Sequence, residues 1–324
     1  MQNNFWKNKK VLITGYEGFL GSNLTQRLIN YGARIWGLDI VTYRKNTLLS
    51  REDYKRIKVI KGSIANYALL DKIIKKNRIE IIFHLAAEAI VGKCQSNPLG
   101  AFSSNIKGTW SVLEASRLSK TVKSIIIASS DKAYGSHKKL PYTEEHSLCG
   151  AHTYDVSKSC ADLLARAYFV SYGLPVAITR CGNIFGPGDF NFSRIITDTI
   201  RSIIKNKTLI IRSDGKFTRD YVYVDDIVDG YLLIAEKMNK LGLAGEAFNL
   251  SNENPISVLG LVKEIYKISK QKPKYRILSE AQHEIRDQYL SSVKARKILG
   301  WKAKHSLEGG LTKTIYWYKE NLCK

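Results

Sequence analysis

Lys10-Val11-Leu12-Ile13-Thr14-Gly15-Tyr16-Glu17-Gly18-Phe19-Leu20-Gly21 is the stretch that decides the fold. Its first five residues read as a buried strand, and a helix follows from about Ser22 to Tyr31. The pattern G-x-x-G-x-x-G therefore falls at a strand-to-helix turn. There Gly15 permits the tight turn, Gly18 lets the backbone approach a pyrophosphate, and Gly21 lets the helix pack on the strand. Free N–H groups and the dipole at the helix N-terminus then hold the anion. Three glycines alone are a weak signal, and the next strand, residues 34–39, strengthens them. It ends in Asp39, about 20 residues beyond the glycines, where a carboxylate takes adenosine ribose hydroxyls. The same carboxylate repels a 2'-phosphate, which favours NAD over NADP; Arg44 and Lys45 just downstream keep NADP as the alternative.

Working outward, strand-like runs at 57–60, 79–84, 124–128 and 175–180 alternate with helical segments at 67–76, 98–118 and from Tyr154 onward. This predicts right-handed crossovers and an α/β fold, a Rossmann-type doubly wound parallel sheet with helices on both faces. His84 reads as a packed strand-end histidine. Asn105 and Gly108 both cost helix stability, which predicts a local hydrogen bond or close packing around them. After Cys181 the regular alternation stops. The expected division is a dinucleotide-binding domain over 1–181 and a smaller substrate-binding lobe over 182–324, with some chain exchange between them. In that lobe residues 211–215 read as a hairpin, and Asp225, Asp226 and Asp229 as the capping acids of a helix rather than a metal site. The last segment, 311–324, reads as a helix with an aromatic patch of Tyr316, Trp317 and Tyr318.

The residues that carry chemistry sit between these elements. Ser129-Ser130-Asp131-Lys132-Ala133-Tyr134-Gly135 follows the apolar run 124–128 at a strand end, and Tyr154-x-x-x-Lys158 opens the next helix. Positions four apart share a helix face, so Tyr154 and Lys158 point the same way. An ammonium beside a phenol favours the phenolate and is expected to lower the Tyr154 pKa, letting it take a proton from a hydroxyl. Alone, the pair also fits a half-buried tyrosine with a solvated lysine; the upstream glycines and the Ser-Asp-Lys run weigh against that.

Composition bounds the rest. Hydrophobic content of 44% and charged content of 25% in 324 residues are those of an ordinary soluble protein. No apolar run approaches the ~20 residues of a membrane span, and the first residues lack the apolar core of a signal peptide. Five cysteines (Cys94, Cys149, Cys160, Cys181, Cys323) are scattered without C-x-x-C, which points to reduced thiols, a cytoplasmic setting and no metal site. The net charge of +22 is spread from Lys7 to Lys324 instead of gathered into a stripe or tail. That reads as solvated surface rather than a nucleic-acid interface, with a field that attracts a diphosphate.

Taken in order, Gly15-x-x-Gly18-x-x-Gly21, Asp39, His84-Leu85-Ala86-Ala87, Ser129-Ser130-Asp131-Lys132, Tyr154-x-x-x-Lys158 and Arg180-Cys181-Gly182-Asn183 resemble the extended short-chain dehydrogenase/reductase superfamily, in its nucleotide-sugar epimerase/dehydratase branch. The resemblance runs from about residue 9 to 320. Within the branch, Ser130 to Lys132, Tyr154 to Asp162 and Ile211 to Tyr221 are similar to nucleotide-sugar 4,6-dehydratases, of the CDP-glucose or the GDP-N-acetylglucosamine type. The resemblance implies NAD held by Gly15, Gly18, Phe19, Leu20, Gly21, Asp39, Ser63, Ile64, Leu85, Ala86, Ala87, Tyr154 and Lys158. It implies catalysis by Ser130, Asp131, Lys132, Tyr154 and Lys158: oxidation at C4, loss of water across C5 and C6, and hydride return to C6. Tyr154 would take the O4 proton, Asp131 would be the acid, and Lys132 the C5 base if its pKa is lowered. Substrate contacts fall on Glu88, Asn183, Arg194, Arg212 and Arg219. A homodimer or homotetramer is implied, pairing the helices near 98–118 and 154–171, in deoxysugar supply for cell-surface polysaccharide. Three positions depart from the pattern: Lys132 replaces a common Glu, Ser63 a common Asp and Cys94 a common Ser. The competing readings are a 4-epimerase, which needs no Asp131-Lys132 pair, and a non-catalytic NAD-binding protein.

Overall fold

Seven strands, all parallel, carry the site. The computed structural model describes residues 5–280 and 285–322. Its central strands are β1 (Lys10–Thr14), β2 (Arg34–Asp39), β3 (Ile57–Lys61), β4 (Ile81–His84), β5 (Ser124–Ala128), β6 (Val176–Cys181) and β7 (Ala247–Leu250). They lie in the order β7-β6-β5-β4-β1-β2-β3. The chain runs outward from β1 to β3 and returns to start again at β4, so the strand order reverses between β1 and β4. A doubly wound sheet binds ligands in the crevice at that reversal, outside the carboxyl ends of the strands.

The strands are nearly continuous in apolar residues because both faces are covered; every residue of β4 and of β6 is buried. Alternate side chains enter different cores. Val11, Ile13, Phe83 and Ile126 pack with Leu24 and Leu28 of the helix Phe19–Asn30 and with Ile227 and Tyr231 of the helix Val224–Lys237. Leu12, Ile82, Ile125 and Ile127 pack on the other face with Ile73, Val112 and Ala165, from the helices Tyr67–Asn77, Gly108–Arg117 and Thr153–Tyr172.

The segment Pro98–Leu118 is interrupted by a π-turn over Ser103–Lys107, a widening frequent at functional sites. Asn105 lies in it. Its Nδ2 donates to Glu88 O (3.0 Å) and Ser157 Oγ (2.8 Å), and its Oδ1 accepts from Glu88 N (2.8 Å). At Gly108 a Cβ would stand 2.5 Å from Ile64 Cδ1. Both the hydrogen bonding and the close packing expected there are present.

The second lobe departs from the sequence reading in several places. Residues 211–215 form no hairpin: Leu209–Ile211 pairs in parallel with Tyr275–Ile277, because Leu209 and Ile211 pack with Val262 and Tyr266 in a core of their own. The helix Val224–Lys237 does begin with Asp225 and Asp226 in its first turn, where they suit the dipole, but its acids make no cap hydrogen bond and serve remote partners. Asp225 and Asp229 grip Arg27 (3.1 and 2.7 Å), and Asp226 accepts from the backbone N–H groups of Lys304 and His305. The terminal aromatic patch forms only in part: the Trp317 and Tyr318 rings meet edge to face at 5.0 Å, with Tyr318 fully buried and its hydroxyl on Asp189 O, whereas Tyr316, two residues from Tyr318 on the helix, faces another way and is exposed. Past residue 182 the chain comes back to the central sheet, giving it the helix Val224–Lys237 and then β7, which pairs with β6. Among the described residues no helix is long and apolar enough to cross a membrane. Cys323 lies outside the described residues.

Candidate active site

The crevice begins with the glycine loop. Gly15 has a left-handed backbone (φ +73°), and a Cβ on it would stand 2.8 Å from Ala86 Cα. A Cβ on Gly21 would collide with the Gly15 carbonyl oxygen. Gly18 caps the helix Phe19–Asn30 with no side-chain bond, so the first-turn N–H groups are left for an incoming anion. This cradle, which any side chain would fill, fits a pyrophosphate. Phe19 and Leu20 are half-buried against the first core. Leu85, Ala86 and Ala87 continue from β4, with Ala86 N donating to Thr14 Oγ1 (3.2 Å).

Asp39 ends β2, 7% exposed, and its carboxylate accepts from Glu17 N (3.3 Å), Val41 N (3.2 Å) and the Arg44 guanidinium (3.3 Å). Gly62 N donates to Asp39 O (2.9 Å), which brings exposed Ser63 to the same rim, while Ile64 turns inward. His84 bonds Thr14 Oγ1 (2.8 Å) and Thr109 Oγ1 (3.1 Å), and burial holds its ring down to about 3, so it is the packed neutral histidine expected.

At the tip of β5, Ser130 opens a single turn over Asp131–Tyr134. Its hydroxyl accepts from Lys132 N (3.2 Å), donates to Asp131 Oδ1 (3.0 Å) and lies near enough to the Tyr154 phenol to act on it. Lys158 is buried, donates from Nζ to Ala128 O (2.8 Å), and stands 6.0 Å from the centre of the Tyr154 ring. The four-residue spacing therefore does set both on one face, as the sequence indicated. The expected lowering of the tyrosine pKa is not found. Burial pushes the phenol up, Ser130 and Arg194 draw it only partly back, and the ammonium is committed to a carbonyl instead. Burial draws Lys158 itself down to about 8.

Asp131 is 6% exposed. Burial pushes its carboxyl up to about 6, against the pull of Lys132, Ser130 and Arg219. Lys132 is half-buried between the carboxylates of Asp131 and Asp155.

The substrate residues are brought together unevenly. Arg219 is buried and its guanidinium donates to Thr218 O (2.9 Å), Arg286 O (2.8 Å) and Ile285 O (2.5 Å), close enough to act on Asp131. Arg194 binds Asp189 (2.8 Å), lies 5.9 Å over the Phe19 ring, and reaches toward Tyr154. Asn183 starts a short strand, its N–H on Asp220 O (2.9 Å). Glu88 folds its carboxylate back to Ile90 N (3.1 Å), and Arg212 is exposed at the end of Leu209–Ile211.

Two side-chain roles are not legible in the sequence. Arg180, inside β6, grips Asp162 with paired bonds of 2.8 Å and donates to Tyr134 OH (2.8 Å), which donates to Asn249 Oδ1 (2.7 Å) on β7. The other is Glu17, buried inside the glycine loop. A charged residue inside an apolar strand was the available hint for the first; a loop position between glycines offered none for the second.

Comparison with known proteins meets this geometry as one block: residues 11–251 match the NAD dependent epimerase/dehydratase family. The chain belongs to that family. NAD is accordingly the cofactor of this epimerase/dehydratase, in keeping with the glycine cradle and Asp39. It is 29% identical to the CDP-glucose 4,6-dehydratase of Salmonella typhimurium, covering 98% of this chain and 92% of that one. The solved dTDP-glucose 4,6-dehydratase of Bacillus anthracis, in complex with NAD, superposes with a TM-score of 0.86 at 28% identity, covering 97% of both chains. The UDP-glucose 4-epimerase of Thermotoga maritima, with UDP-glucose, gives 0.85 at 27%, covering 96% of this chain and 99% of that one. The chain spans about half the length of the curated trifunctional relatives of Arabidopsis thaliana that it also matches.

Proposed function

We propose that the chain is a nucleotide-sugar 4,6-dehydratase, taking an NDP-hexose of the CDP-glucose or GDP-N-acetylglucosamine type to the 4-keto-6-deoxy sugar. The observation that supports this over C4 epimerisation is Asp131. Moving a proton at O4 needs one carrier, and Tyr154 beside Ser130 and Lys158 supplies it. Expelling the C6 hydroxyl as water needs a second, protonated group, and a buried carboxyl titrating at about 6 on the same strand tip suits that task.

Bound NAD supplies the acceptor, and later the donor, of the hydride. Tyr154 takes the O4 proton, and the resulting C4 ketone makes the C5 proton acidic. Lys132, beside Asp131, serves as the C5 base while Asp131 protonates the leaving hydroxyl. Asn183, Arg194 and Arg219 hold the diphosphate, with Glu88 and Arg212 at the edge of the substrate site. The site works in a homodimer or homotetramer of a cytoplasmic enzyme that supplies deoxysugars for cell-surface polysaccharide. Exposed Leu163 and Val170 on the helix Thr153–Tyr172, beside a shallow recess lined by Tyr67, Trp110 and Tyr168, support the subunit pairing.

Incubation with CDP-, GDP-, UDP- and dTDP-linked hexoses is expected to give, from one nucleotide preferentially, a product lighter by one water in the mass spectrum. A product of unchanged mass inverted at C4 would make the chain an epimerase. Asp131→Asn is expected to slow water loss by about a hundredfold or more while C4 oxidation continues, so that reduced cofactor accumulates in a single turnover. The sign with pH follows from the raised carboxyl: its acid form predominates below about 6, so water loss falls as pH rises through that value. In Asp131→Asn that inflection disappears.

A further inference from the structure

Glu17 occupies an unusual place: a carboxylate buried to 3% exposure inside the glycine loop, next to the adenosine end of the dinucleotide site. One oxygen accepts from Tyr43 N (2.7 Å); the other accepts from Tyr54 OH (2.7 Å) and, longer, from Arg44 N (3.4 Å). All its partners are donors, the set an ionised carboxylate requires. Tyr43 is held in the left-handed region (φ +57°), a conformation a tyrosine adopts only when its surroundings impose it. The backbone of Glu17 also reaches the ribose-binding acid, its N–H donating to Asp39 Oδ2. The result is a closed circuit. Glu17 clamps the backbone of residues 43 and 44, and the clamped loop folds the Arg44 guanidinium onto Asp39 Oδ1 at 3.3 Å.

Arg44 is the cation beside the ribose-binding carboxylate, the kind of group that accommodates a 2'-phosphate in NADP-binding sites. Here it is folded onto Asp39 and paired, though still exposed to solvent. We infer that Glu17 is a positioning residue for dinucleotide selectivity: it keeps Arg44 folded on Asp39 and adds a second negative charge, so that a ribose 2'-hydroxyl is accepted and a 2'-phosphate is refused. This inference rests on the assignment of the glycine loop as the NAD site. Releasing the clamp frees the guanidinium to swing toward a phosphate and removes one of two repelling charges. Both effects act in the same direction.

The test is calorimetric titration of NAD+ and NADP+ into wild type, Glu17→Ala, Glu17→Gln and Glu17→Ala/Arg44→Ala, without substrate. Glu17→Gln keeps the side-chain volume and guards against loss of folding in the alanine variant. The ratio of the NADP+ to the NAD+ dissociation constant is expected to fall by about tenfold or more in the single variants, and to recover much of that loss in the double variant, where no guanidinium is left to swing. A ratio that stays at the wild-type value in both single variants, with both constants weakened in proportion, makes Glu17 a structural residue only and overturns the inference. Wild type that binds neither dinucleotide overturns the NAD-site assignment itself, a result distinct from the first.

Discussion

Tyr154→Phe is expected to lose turnover by about 10³- to 10⁴-fold while binding NAD and the nucleotide sugar within about twofold of wild type. The substitution removes one oxygen and nothing else from the crevice: the ring keeps its place beside Lys158, and Ser130 keeps its bonds to Asp131 and Lys132. The large kinetic effect comes from the absence of any other group at the phenol's position able to receive the O4 proton. Burial holds the phenol protonated in the free protein, so its conversion to a base belongs to the liganded site. Rapid-quench measurement of C4 oxidation, with both ligands saturating, isolates the step. A loss of less than about tenfold would assign proton transfer to another group.

Arg180→Ala is expected to destabilise the protein by about 3–5 kcal/mol. The Asp162 carboxylate would be left buried in a pocket where both its oxygens now bond the guanidinium, the two side chains being 3% and 7% exposed. The same guanidinium steadies the Tyr134 hydroxyl, which closes the turn that carries Asp131. Urea unfolding should show the midpoint fall with an unchanged slope. Replacing both partners, as in Asp162→Leu/Arg180→Met, should cost less than removing Arg180 alone, because no unpaired charge remains. If the single and double variants unfold at the same midpoint, the penalty is one of packing and not of a stranded charge.

What could be read in the sequence was what short spacing encodes. The glycines, Asp39, the small residues after β4, the Ser130-Asp131 tip and the Tyr154/Lys158 face each depend on neighbours within one strand-loop-helix unit, and each has the place in the elements that its spacing suggests. The misreadings involve partners far along the chain. Residues 211–215 looked like a hairpin because nothing local announces that Tyr275–Ile277 will supply the pairing strand. Asp225 and Asp229 looked like capping acids because Arg27 is remote in sequence. The tyrosine pKa differs from the expectation for another reason: a lysine four residues away is visible in the sequence, whereas the desolvation of the phenol and the Ala128 carbonyl that takes the ammonium are not.

The late return of the chain to the sheet has a consequence for synthesis on the ribosome. β6 is complete once Cys181 has emerged, yet its neighbour β7 ends only at Leu250. Throughout that interval the nascent chain presents an unpaired parallel edge, rich in Val, Ala and Ile, of the sort that sticks to other chains. Slowing translation between those two points should therefore lower the yield of soluble protein.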